Sequence, residues 1–228
     1  FPIIGLLGGF LSSNSSNNTL LLFLILGISA IFLLTAISAR IVPARFYPLA
    51  LFAIAIALLL PTPLVSHYIT AYDLPSAFYC SVLTRINSRW TPDILGVPTP
   101  GTLVIQSYAS MLSITILPLF YSVVLDLSGE LIFKVVYPII FSIVPVVLFY
   151  IYKEFFEEKR AVLAVFFFVS YATFYIQMAY LARQMIAELF LVLLFLLYTK
   201  NGFKIEQGAP RSVLFLFFFF GIVVSHYA

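Results

Sequence analysis

The chain has 228 residues, of which 63% belong to the set AVILMFWYC and only 9% are charged. A soluble domain carries roughly 45–50% and about 25%. Twelve basic and nine acidic side chains are too few to cover a water-facing surface of this size, so the chain is expected to face lipid. The net charge of +3 does not signal a nucleic-acid partner, because the bases stand at the ends of apolar runs, where membrane topology explains them. A single cysteine, Cys80, excludes an internal disulfide and a cysteine-rich metal site. The chain opens on Phe1 within one apolar run and closes beside another, as a fragment of a longer protein would.

A bilayer-crossing helix needs about 20 apolar residues. Phe1–Leu11 reads as the end of a truncated span, with Gly5 and Gly9 spaced to let two helices pack closely. Thr19–Ser38, Phe46–Val65 and Leu131–Tyr152 each qualify as full spans, and Arg211–Tyr227 is shorter but almost wholly apolar. As one helix, Ala161–Tyr198 would run roughly 57 Å, nearly twice the hydrocarbon thickness, so it must be two spans. No Gly or Pro marks the turn between them, and the polar interruption Gln177–Gln184 is its expected place. The expected fold is therefore all-α, a polytopic transmembrane bundle of about six full spans plus a partial one.

Charge sets the expected direction. Arg40 and Arg45, then Lys153, Lys159 and Arg160, then Lys200, Lys204 and Arg211 bound three loops at 39–46, 153–160 and 200–211. Placing all three in the cytoplasm puts eight of the twelve basic residues inside, as the positive-inside rule expects. Loops 12–18 and 66–130 then lie outside a cell membrane. The first contains two glycosylation sequons, starting at Asn14 and Asn17. Within the second there is no room for a further crossing, so Thr102–Leu125 should re-enter or lie along the outer face. Leu74–Trp90 has Phe78, Val82, Ile86 and Trp90 on one side and Ser81, Thr84, Arg85 and Ser88 opposite, the pattern of an interfacial helix.

This topology collects His67, Asp73, Arg85, Arg89, Asp93, Lys134, Arg183, Glu188 and His226 on one face. Both histidines stand in the same tetrapeptide, Val-Ser-His-Tyr, as interfacial anchors or as two imidazoles lining one cleft. Asp73 is placed either to N-cap the helix at Leu74-Pro75 or to act as a general base or metal ligand. Glu188 falls roughly 10 Å into an apolar helix, where a carboxylate is costly and function is the default hypothesis, the alternative being a buried pair with Arg183 or another helix. Lys134 follows Glu130 by four residues and reads as a local helix pair or a phosphate ligand; Arg85 and Arg89 share that second option. No Walker loop, Rossmann glycine pattern, HExxH or GxSxG is present.

An acid closing an outward span, an interfacial helix, the run PLFYSVVLDLSGELIFKVVYPIIFSIVPVVLFYIYKEFFEEKRAVLAVFFF and the segment YLARQMIAELF follow one another in order. Over residues 46–228 this resembles the N-terminal part of C-type (GT-C) glycosyltransferases, above all the protein mannosyltransferase and aminoarabinose transferase branch. It is also similar to a large uncharacterised group of archaeal multi-pass membrane proteins of that architecture. The resemblance divides the chain into an extra N-terminal hairpin, 1–45, and a transmembrane core, 46–228. It implies transfer of a sugar from a polyprenyl-phosphate donor to an outside protein or glycan acceptor. Asp73 would be the essential acid, Arg183 or Lys134 would hold the leaving phosphate, and Glu188, His67 and His226 would shape the cleft. No cofactor is assigned; the resemblance allows a divalent metal, with Asp73 as its ligand. The chain departs from the family in having no second acid in Leu74–Phe78 and Met185 where an aspartate often stands. Two other readings are kept open, a transporter or flippase with Glu188 as coupling site and a non-catalytic membrane subunit.

Overall fold

Long apolar runs shield their backbone from water, so each N–H and C=O must find its partner within the segment, and helix is the form that achieves this. The computed structural model describes residues 1–37, 43–66, 68–93, 103–199 and 209–226, and among them no strand occurs. In chain order the helices are α1 (Pro2–Ser15), α2 (Thr19–Ile37), α3 (Ala44–Leu64), α4 (Leu74–Ile86), α5 (Leu103–Ala109) and α6 (Leu112–Leu125). Then come α7 (Gly129–Lys153), α8 (Glu158–Ser170), α9 (Thr173–Tyr180), α10 (Ala182–Tyr198) and α11 (Ala209–His226).

By length and composition, α3 with 21 residues and α7 with 25 can cross a membrane. The pair α8 and α9, bent by 58° at its joint, makes a third crossing if it counts as one span. The other expected spans fall on helices whose described apolar stretches are shorter, and six full spans are not shown. An all-helical chain with two or three such helices is consistent with a membrane protein.

The core lies where α3, α7, α8 and α10 meet, around Leu51, Phe133, Tyr137, Phe141, Phe149 and Met185. Gly5 and Gly9 act as their spacing suggests. A Cβ on Gly5 would stand 2.7 Å from the Ala57 carbonyl oxygen, and one on Gly9 would stand 3.2 Å from the Pro61 Cα, so α1 lies directly against the backbone of α3. Three buried hydroxyls are satisfied by carbonyls four residues back: Thr84 donates to the Cys80 carbonyl, Thr115 to Met111 and Ser142 to Pro138.

Two expectations change in detail. The chain does leave helix inside Gln177–Gln184, at Leu181 (φ −114°, ψ 65°), but it also breaks at Tyr171, where no Gly or Pro marked a turn and only Ser170 and Thr173 interrupt the apolar run. Helix α4 ends at Ile86 rather than Trp90, and it is rotated relative to the expected face. Leu74, Ala77, Cys80, Ser81 and Thr84 are buried, while Ile86 is 71% exposed. The small side chains of that face let α4 pack tightly on α6, and the Thr84 hydrogen bond removes the cost of burying a hydroxyl. The segment expected to re-enter forms two helices broken at Met111; α6 has 14 residues, about 21 Å, less than a hydrocarbon core.

Candidate functional site

The loop between α3 and α4 is short and conformationally costly. Ala71 and Tyr72 both adopt left-handed backbone angles, φ 69° and 46°, at an expense on the order of 1–3 kcal/mol each. Such a conformation persists only where its surroundings hold it, and two side chains from distant helices do so. Lys134, in a widened π-helical turn of α7, donates from Nζ to the Ser66 carbonyl at 2.9 Å. Arg183, in the first turn of α10, donates from Nε and Nη2 to Oδ2 of Asp73 at 3.1 and 2.8 Å.

Asp73 occupies the N-cap position of α4, yet its side chain caps nothing. Its carboxylate turns to the guanidinium 110 residues further along the chain, so the capping alternative is not realised. Both hydrogen bonds from Arg183 fall on one oxygen. Among the described residues Oδ1 accepts none, and the Asp73 side chain is 28% exposed. Among the described residues the carboxylate thus has one oxygen bound and one without a hydrogen bond.

Tyr108, on α5, puts its ring under the Arg183 guanidinium, 5.1 Å from centroid to Cζ. Sequence reasoning missed this residue; the available signal was the polar content of Gln106, Ser107 and Ser110 around it. His226, at the end of α11, lies within the electrostatic field of Arg183. It is carried there by Ser113 of α6, whose hydroxyl donates to the Ser225 carbonyl at 3.3 Å, while the Tyr137 hydroxyl donates to the Ser113 carbonyl. Residues of α4, α5, α10 and α11 thus meet at one carboxylate–guanidinium pair.

Other expected residues stand elsewhere. Lys134 forms no ion pair with Glu130; it donates to the Ser66 backbone, and at 6% exposure it is a positioning residue for the Asp73 loop. Glu188 is five residues beyond Arg183, about 140° around the helix, on the side that also carries the exposed Leu191 and Phe195. The structure does not bring it to Asp73, because a five-residue step on a 3.6-residue helix turns it away. Glu188 is half-buried and has no hydrogen bond or ion pair among the described residues. Arg85 lies twelve residues past Asp73, about 18 Å along α4, and with Arg89 it faces a separate groove. Asp93 accepts from Gln106 Nε2 at 2.9 Å. His67, Arg40, Lys200 and Lys204 lie outside the described residues.

Among the described residues no three of His, Cys, Asp and Glu cluster as a metal would need. Asp73 meets a cation rather than further ligands, so this donor set does not fit a divalent metal, and no step below uses one.

The described residues form an α-helical fold, consistent with a membrane protein, with a carboxylate–guanidinium pair where several helices meet. No protein-family model, no curated protein and no solved structure matches it.

Proposed function

We propose that the chain belongs to a multi-pass membrane glycosyltransferase that moves a sugar from a polyprenyl-phosphate donor to an acceptor at the outer membrane face. The observation that carries this reading is the Asp73–Arg183 pair, with Oδ1 of Asp73 left open. The donor's tail would stay in the bilayer while its phosphate meets Arg183, which is held over Tyr108. Oδ1 would accept the hydrogen of the acceptor hydroxyl. The acceptor oxygen then bonds to the sugar's anomeric carbon as the bond from that carbon to the phosphate oxygen breaks. The proton ends on Asp73 and the lipid phosphate leaves against Arg183. Lys134 takes part only by holding the Asp73 loop, and Glu188 takes no step.

The test is transfer of labelled sugar from a polyprenyl-phosphate donor by the full-length protein. Asp73→Asn is expected to abolish transfer, and Arg183→Lys to lower it by losing the forked donation. Wild-type transfer by Asp73→Asn would sink the assignment.

One observation favours a second reading. A half-buried carboxylate without a partner among the described residues, Glu188, suits a coupling site for transport. That reading expects substrate movement across liposomes that is lost in Glu188→Gln, with no glycosidic product.

A further inference from the structure

A groove of about 750 Å³ opens between the second half of α4 and helix α6, at the far end of α4 from Asp73. Its walls differ in chemistry. From α4 and the residues after it come the guanidinium groups of Arg85 and Arg89; from α6 come Ile116 and Val123, which are 43% and 83% exposed. Asp126, just past α6, is the groove's one acid. Among the described residues neither arginine makes a hydrogen bond or ion pair, and nor does the Asp126 carboxylate. Two uncommitted guanidinium groups against one carboxylate leave a net single positive charge beside an exposed apolar wall.

We infer that this groove binds an anionic membrane phospholipid, with its phosphodiester between Arg85 and Arg89 and its chains along Ile116 and Val123. The charge complement is the reason for an anionic lipid. A phosphodiester of one negative charge balances the groove, and Arg matches phosphate oxygens with paired donors. The apolar wall is the reason for a lipid rather than a soluble anion. The site stands apart from the transfer reaction proposed above, both in position and in residues.

The chain supplies its own reporter. Its single tryptophan, Trp90, lines the groove, and its indole donates to the Ala109 carbonyl at 2.9 Å. In vesicles of phosphatidylcholine containing a minority of brominated phosphatidylglycerol, Trp90 fluorescence is expected to be quenched more than by the same fraction of brominated phosphatidylcholine. Each arginine replaced should weaken the anionic preference roughly fivefold, so Arg85→Gln reduces it and Arg85→Gln/Arg89→Gln removes it. Both arginines are exposed, so the variants should keep the wild-type helical circular dichroism. Asp73→Asn, which tests the transfer reaction, should leave the quenching unchanged. Equal quenching by the two brominated lipids, or a preference that survives in the double variant, would overturn the proposal. Loss of the preference on adding inorganic phosphate would also overturn it, in favour of a soluble anion.

Discussion

Arg183 donates twice to one oxygen of Asp73, joining the first turn of α10 to the loop before α4 across 110 residues of chain. The bond ties two helices that have little other contact, and it fixes the charge of a group whose neighbours Ala71 and Tyr72 are strained.

A double-mutant cycle measures what the pair contributes. The side chains are 15% and 28% exposed, so the charge-assisted bonds are discounted for solvent, and a coupling of roughly 1–2 kcal/mol is expected. Asp73→Asn and Arg183→Gln should each destabilise the protein in detergent, and the double variant should be no worse than the poorer single one. Additive losses would mean the two side chains do not support each other.

Gly5→Ala tests the contact of α1 with α3. The new methyl group meets the Ala57 carbonyl oxygen, a backbone atom that cannot swing aside, and the cost is expected to be about 1–3 kcal/mol. Ile3→Val, at a position 72% exposed on the same helix, should leave the unfolding midpoint where it was. Equal tolerance of both changes would show that α1 does not dock there.

Cys80 should be chemically silent in the folded protein. It is fully buried on the inner face of α4, its thiol donates weakly to the Ile105 carbonyl of α5, and burial pushes its pKa from 9.0 up to about 11. At pH 8 the reactive thiolate is about a hundredfold scarcer than for an ordinary thiol. A water-soluble maleimide should label the protein only after denaturation. The same shift has a stability consequence with a definite sign. The unfolded thiol ionises first, so the contribution of the buried neutral form is complete below pH 9 and fades as pH rises through 9 towards 11. Rapid labelling of the native protein at pH 8 would show that the inner face of α4 is not packed around Cys80.

The glycine pair shows how much of the packing was legible. Gly5 and Gly9 could be read because a four-residue spacing puts both on one face of any helix, whatever the partner; that the partner is Ala57 and Pro61 could not. The same limit explains α4. Periodicity gave the right helix but the wrong buried face, since Ser81 and Thr84 look polar until a hydroxyl bonds its own helix and small size becomes the asset. The break at Tyr171 was not legible in composition, because Ser170 and Thr173 are small hydroxyl residues that a helix also accommodates.

For the candidate site the division is similar. Asp73, Arg183 and His226 could be singled out one by one, since ionisable groups at the ends of apolar runs are costly and few. Pairing Asp73 with Arg183, turning Lys134 to a backbone carbonyl and placing Tyr108 under the guanidinium needed the packed helices, because each joins residues far apart in the chain. The sequence by itself determined that the chain is helical and strongly apolar, because composition and run length are local properties that act before any contact forms. Only the tertiary structure decided which charges meet. It left Glu188 about 140° around α10 from Arg183 and set Arg85 about 18 Å along α4 from Asp73, as helix geometry and docking impose.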